Sequence, residues 1–179
     1  LTDLILEKGK SSFAGGALYV KASATADAYV HLVRSIVRLC ESTSSGGALY
    51  VTGAGGSAVV MLASSTLESN KGTYGGAMMV RTGAQVMLVQ GLQSSLKNNQ
   101  ATVHGGGIYL YVGARLEITG AGTELVVDGN TAKKQGGGVC DETASTVTVS
   151  SGAKLSVLNN TAMTQSGGGF SLAGGGTRL

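Results

Sequence analysis

The sequence predicts an all-β fold: a right-handed parallel β-helix of about six coils, each near 30 residues and carrying three strands. Three observations point to it. A glycine pair recurs at a fixed interval. An aliphatic-x-x-Asn pattern precedes most of those pairs. Proline is absent from a chain that holds 30 glycines in 179 residues.

The glycine pair appears in FAGGALYV, SSGGALYV, TYGGAMMV, VHGGGIYL, KQGGGVCD and QSGGGFSL. Its first residues are Gly15, Gly46, Gly75, Gly105, Gly136 and Gly167, at intervals of 31, 29, 30, 31 and 31. A fixed period of this size marks a solenoid or another repeat array. Glycine adopts positive φ without steric cost and admits close backbone approach. These six are therefore read as turn glycines.

Ahead of the pairs, the segments VRLCES, LESNKG, LKNNQA, VVDGNTA and VLNNTA align. Their shared column is Asn70, Asn99, Asn130 and Asn160, with Cys40 in the same slot one repeat earlier. Stacked amides hydrogen-bond along a solenoid axis and satisfy backbone groups at a corner. Two residues further on, the column Ser42, Gly72, Ala101, Ala132 and Ala162 is uniformly small.

Short runs with β-branched residues and alternation fill the remainder: AYVHLV, SAVVML, AQVMLV, ARLEIT and STVTVS. Each repeat thus holds one strand after the glycines, one in the middle and one ending at the Asn. Stacking sets the inward columns. After the glycines these are Leu18, Leu49, Met78, Ile108, Val139 and Phe170. In the middle they are Val30/Leu32, Val59/Met61, Val86/Leu88, Leu116/Ile118 and Val147/Val149. Before the Asn they are Val37, Leu67, Leu96, Val127 and Val157. One stretch, AYVHLVRSIVRLC, also places Val30, Val33, Val37 and Cys40 on one face at helical spacing, which leaves a local helix as the alternative there.

Proline's absence follows from the fold, because nearly every strand N–H donates to the next coil. Coils stacked at about 4.8 Å would span roughly 29 Å. Parallel crossovers set the right hand. A hydrophobic share of 42% supplies a core. Net charge is only +3, with Lys133-Lys134 the sole basic doublet, which argues against a nucleic-acid partner. No apolar run reaches the ~18 residues of a transmembrane helix. The chain starts in mid-pattern at Leu1 and is read as a mature product or a piece of something longer.

The combination Gly15-Gly16-Ala17-Leu18, Gly46-Gly47-Ala48-Leu49 and Gly75-Gly76-Ala77-Met78 with Leu67-x-x-Asn70, Leu96-x-x-Asn99, Val127-x-x-Asn130 and Val157-x-x-Asn160 resembles the repeat of chlamydial-type polymorphic outer membrane proteins. That family pairs GGA[ILV] with Phe-x-x-Asn; here the Phe position holds Leu or Val. The resemblance covers nearly the whole chain as a repeat type. It implies a surface-exposed β-helix used for adhesion or scaffolding.

Catalysis has little support. Pectate-lyase-like enzymes share the β-helix and need acidic clusters or paired carboxylates on one face. The outward middle-strand column is read as His31, Val60, Met87, Glu117 and Thr148, and Asp141-Glu142 is the only adjacent acidic pair. Strand neighbours point to opposite faces. His104 precedes Gly105 and reads as a solvated loop residue. No metal or cofactor motif is present.

Cys40 and Cys140 lie more than three coils apart, roughly 15 Å, whereas a disulfide needs Cα atoms within about 7 Å. Two free thiols are expected, Cys40 buried in the Asn column and Cys140 facing outward. Asn159-Asn160-Thr161 is the one N-x-[ST] sequon, with Asn159 outward and open to a glycan on a eukaryotic secretory route. The outward column Tyr19, Tyr50, Met79, Tyr109, Cys140 and Ser171 is either a lateral or sugar-stacking strip or an aromatic ladder that stabilises the sheet.

The function expected is a non-catalytic structural solenoid of an extracellular filament, fibre or cell-surface adhesin. The rival is a carbohydrate-binding or carbohydrate-cleaving β-helix. The expected partners are further copies stacked head to tail, and surface glycans. The spacing from Gly167 through Leu179 to Gly15 of a following copy is 27 residues, near the internal 29 to 31. Unpaired strand edges recruit further strands, so the chain is read as one segment of a longer solenoid or one unit of a filament.

Overall fold

The computed structural model describes residues 1–89 and 91–173. It is a parallel β-helix of about six coils whose strands pair in register one coil apart. Each coil has four faces rather than the three expected. The first face ends just before the Asn column: Ile5–Glu7, Ile36–Arg38, Thr66–Glu68, Gln93–Lys97, Glu124–Asp128 and Lys154–Leu158. The second, unforeseen face follows it: Lys10–Ser11, Glu41–Ser42, Lys71–Tyr74, Gln100–His104, Thr131–Ala132 and Thr161–Ala162. The third follows the glycine pair: Leu18–Lys21, Leu49–Thr52, Met78–Arg81, Ile108–Tyr111, Val139–Glu142 and Phe170–Ala173. The fourth is Ala28–Val33, Ala58–Ala63, Gln85–Leu88, Arg115–Thr119 and Thr146–Ser150. AYVHLVRSIVRLC forms two of these strands and no helix.

The second face escaped notice because several of its strands are two residues long and show no alternation. The small column is its inward contribution: Ser42, Ala101 and Ala132 are buried where the coil is narrow. The expected core columns are present on the first and third faces. Val37, Leu67, Leu96 and Val127 are buried, as are Leu49, Met78, Ile108 and Val139. Val20, Val51, Val80 and Leu110 add a second inward column on the third face, and Asp141 continues it, fully buried.

One coil is shifted by a residue from the expected register. Val60 and Leu62 point inward, not Val59 and Met61. Val30 pairs with Val60 and Val60 with Val86. The outward column is therefore His31, Met61, Met87, Glu117 and Thr148. Ala58–Ala63 is apolar throughout, so alternation could not fix its parity. The turn before it holds residues 53–57, where the next coil has only 82–84.

The corner between the first two faces is an amide ladder. Asn70 Nδ2 donates to Val37 O and to Asn99 Oδ1, both at 3.0 Å. Its backbone N–H donates to the same Oδ1 at 2.9 Å. Asn99 repeats the pattern onto Leu67 O and Asn130 Oδ1, and Asn130 onto Leu96 O and Asn160 Oδ1. Cys40 stands in for the first member: its N–H donates to Asn70 Oδ1 at 3.0 Å, and its thiol donates to Arg38 O at 3.3 Å. A second ladder was not foreseen. At the corner between the fourth and first faces, the N–H groups of Leu4, Ser35 and Ser65 donate to the hydroxyls of Ser35, Ser65 and Ser94 in the next coil.

The residue before each ladder position turns the chain through the left-handed region. Lys8, Leu39, Ser69, Asn98, Gly129 and Asn159 have φ between 51° and 65°. Gly129 occupies it freely, and asparagine tolerates it. The glycine pair divides two tasks. All six first glycines have positive φ, from 59° to 73°. The second glycine lies against the next coil, where a Cβ on Gly106 would collide with Gly137 O.

Two outcomes follow from the ladder corner. Asn130→Leu removes the acceptor of the Asn99 N–H and amide and the side-chain donor to Leu96 O, and should destabilise the fold by about 1–3 kcal/mol; an unchanged thermal midpoint would exclude a stabilising amide ladder. Leu39→Asn relieves a left-handed leucine whose side chain is 49% exposed. It should stabilise the protein by about 1 kcal/mol, read as a higher urea midpoint at constant slope.

Candidate functional site

The third face carries two outward columns. One is Tyr19, Tyr50, Met79, Tyr109, Cys140 and Ser171; the other is Lys21, Thr52, Arg81, Tyr111, Glu142 and Ala173. A third column lies at the corner just before the glycine pair. There Ala14, Ser45, Tyr74, His104 and Gln135 stack by backbone bridges and strand pairing. The corner is concave, because the first glycine sits on the strand that follows it: a Cβ on Gly46 would strike Leu49 O, and one on Gly75 would strike Met78 O. The residue before each glycine therefore leans over the outward face of the third sheet.

This geometry changes the meaning of the tyrosine column. Tyr19 is exposed, but Tyr50, Met79 and Tyr109 are buried. They form a second apolar cluster with Ala14 and Cys140, against which Tyr74 and Tyr111 pack. Three of the four residues considered for sugar stacking, Tyr50, Met79 and Tyr109, thus show little side-chain surface to solvent. Tyr19 stacks on Tyr50 with centroids 5.1 Å apart. Cys140 faces away from the main core, as expected, but is covered rather than exposed. Cys40 is buried in the Asn column, and both thiols are free.

The structure assembles the densest side-chain chemistry around Tyr109. Its ring stacks with Tyr74 at 5.5 Å, His104 at 5.8 Å and Tyr111 at 5.7 Å. The Arg81 guanidinium lies 5.7 Å from the centre of the Tyr111 ring. Ser44, Ser45, Tyr74, Met79, Arg81 and Tyr111 border a groove of about 350 Å³ above this cluster. Rings, a cation and hydroxyls side by side suit a polar ligand with an apolar face.

Deeper in the cluster, the Tyr109 hydroxyl donates to Glu142 Oε2 at 2.8 Å, and the Cys140 thiol points to Glu142 Oε1 at 3.6 Å. Burial, and after it the Glu142 carboxylate, push the ionisation of both Tyr109 and Cys140 well above the ordinary range. Both therefore keep their protons at neutral pH. Burial draws His104 below the usual histidine value, with Glu142 opposing and Lys134 assisting. His104 is half-buried rather than solvated, and its Nδ1 is enclosed without a hydrogen-bond partner among the described residues.

The other singled-out residues have structural surroundings. The Asn column is internal, as described above. Asn159 is exposed, and its amide donates to Asp128 Oδ1 at 2.9 Å. Asp141 and Glu142 do point apart, the first into the main core and the second into the Tyr109 cluster. The sequence reading missed Tyr74, Arg81 and Tyr111, and named Glu142 only as half of an acidic pair. The available signal was register: Tyr74 and His104 each stand just before a first glycine, so they share a column with each other and with Ser45.

Residues 93–111 match the family model of the Chlamydia polymorphic membrane protein (Chlamydia_PMP) repeat. The matched segment runs through Leu96-x-x-Asn99 and Gly105-Gly106-Gly107-Ile108, so the resemblance seen in the motifs holds at this coil. No curated protein and no solved structure matches the chain.

Tyr109→Phe keeps the stacked rings and removes only the hydroxyl donor to Glu142. It should lower stability by about 1–3 kcal/mol, the cost of stripping a partner from a half-buried carboxylate. Equal denaturant midpoints for the two proteins would show that this bond contributes nothing.

Proposed function

We propose that the chain is a non-catalytic structural β-solenoid displayed outside the cell, as part of a surface adhesin or an extracellular fibre. The observation that supports this reading most is the continuous coil-to-coil pairing of all four sheets. Four parallel sheets run along the described residues with polar ladders at two corners, a construction that yields length and stiffness. The fold and the repeat type fit a surface-exposed structural or adhesive role. The outward column of the fourth face, His31, Met61, Met87, Glu117 and Thr148, presents no row of carboxylates of the kind that sugar-cleaving β-helices use.

The solenoid is proposed to continue along its axis, by stacking of a second copy or by further covalent coils. Among the described residues, Leu18–Lys21 and Phe170–Ala173 are the outer strands of the third sheet, each paired on one side only. Such edges accept another parallel strand. Residues 174–179, which enter the head-to-tail spacing, lie outside the described residues. Asn159 is exposed and would carry an N-glycan if the chain passes through a eukaryotic secretory route.

A second reading, a carbohydrate-binding solenoid, draws on the groove beside Tyr74, Arg81 and Tyr111. It assigns the adhesive contact to a surface glycan stacked on those rings.

Beads coated with the purified chain test the adhesive reading. They should attach to cultured epithelial cells above albumin-coated beads, and enzymatic removal of cell-surface glycans should abolish attachment only under the second reading. Attachment no better than albumin would overturn the adhesive role. In parallel, electron microscopy at rising concentration should show rods lengthening by whole units; short particles of one fixed length at every concentration would refute stacking.

A further inference from the structure

His104, Cys140 and Glu142 come together across two successive coils. One ring nitrogen of His104, the Cys140 sulfur and a Glu142 carboxylate oxygen lie within 4.8 Å of one another. No sequence motif joins these residues. His104 ends a second-face strand, while Cys140 and Glu142 share one side of the third-face strand in the following coil. The concave corner alone makes them neighbours.

We propose that these three side chains form a zinc(II) site with three protein ligands and one position open to water. The donor set is one borderline nitrogen, one soft sulfur and one carboxylate oxygen, which suits zinc and disfavours calcium or magnesium. The spacing is close to what zinc requires. Bonds of about 2.0–2.3 Å at tetrahedral angles set ligand atoms roughly 3.2–3.8 Å apart. Cys140 Sγ and Glu142 Oε1 already stand at 3.6 Å. The His104 ring must close by about 1 Å, a side-chain torsion rather than a backbone shift.

The surroundings are those of a metal site. Tyr109 holds Glu142 Oε2 by a hydrogen bond, which fixes the carboxylate and leaves Oε1 toward the thiol. Tyr74 and Tyr109 stack on the His104 ring and limit its rotation. His104 Nδ1 is enclosed and unpartnered among the described residues, a cost that a metal bond, or the ring movement it drives, would remove. Charge also balances. On binding, Cys140 releases its proton to solvent and bonds as thiolate; with ionised Glu142 and neutral His104, the divalent ion is neutralised. A neutral assembly is the form that tolerates burial. Bound zinc would clamp the corner of one coil to the third-face strand of the next. This does not depend on the adhesive reading.

Zinc chloride and cobalt(II) chloride test the site on the full chain. Titration calorimetry should give one zinc per chain, and zinc should raise the thermal midpoint by several degrees. Cobalt should produce a thiolate-to-cobalt charge-transfer band in the near ultraviolet. Cys140→Ser should remove that band, and His104→Gln should weaken zinc binding at least tenfold, both variants keeping the wild-type circular dichroism spectrum. If either unfolds, Glu142→Gln serves in its place, with at least a tenfold loss of zinc affinity expected. Absence of stoichiometric zinc binding to the wild type would overturn the proposal, as would binding that survives unchanged in the folded variants.

Discussion

Everything in this molecule depends on one constraint: each coil's backbone hydrogen-bonds, in parallel and in register, to the coil about 30 residues away. Once that ladder is in place, every side chain sits above its counterpart, and a sequence repeat becomes a physical column. Leu67, Leu96 and Val127 pack as one strip because Leu67 pairs with Leu96 and Leu96 with Val127. The same rule aligns unlike residues. Arg34 reaches Asp3 and Arg38 reaches Glu7 across one coil, and Glu124 meets Gln93, Lys154 and Ser156 on either side. Those contacts hold the Glu124 carboxyl near a pKa of about 2.

Register also explains why the polar corners are tolerable. A buried asparagine is expensive alone, since its amide carries two donors and an acceptor with capacity for two. In the ladder the Oδ1 atoms of Asn99, Asn130 and Asn160 each accept from both the N–H and the Nδ2 of the preceding asparagine, and each Nδ2 also donates to a backbone carbonyl. Cys40 shows how far the slot can be relaxed. Its thiol turns to Arg38 O, and its N–H still donates to Asn70 Oδ1.

Much of this was legible in the sequence, and the failures are instructive. The columns of Leu49 and Leu67 and the asparagine slot could be read from period and polarity alone. The second face could not, because a two-residue strand such as Thr131–Ala132 carries no alternation. The parity of Ala58–Ala63 was hidden by uniform apolarity. The tyrosine column was visible, but its burial was not, because exposure depends on a neighbouring corner closing over it. That closure is set by the positive φ of glycines such as Gly75 and Gly105, a three-dimensional bend that a linear repeat does not display. Hence the grouping of His104 with Cys140 and Glu142 lay beyond pattern reading. Nothing in the repeat marks Asp141 as inward except the column it shares with Leu110.

The asparagine ladder has a direction. From Cys40 to Asn130, every ladder N–H donates toward the higher-numbered coil, and each amide of Asn70, Asn99 and Asn130 sends one hydrogen the same way and the other back to a carbonyl of the lower coil. Their dipoles add along the axis in the manner of a helix rather than cancelling as in an antiparallel sheet. The Asn160 end of such a stack presents hydrogens, while at the other end Cys40 puts a thiol where an amide oxygen would stand. Two rods brought together at their Asn160 ends would set donor against donor at this corner. The column thus acts as an arrowhead written into the interior, and it gives the rod a front and a back that its repetitive surface does not show.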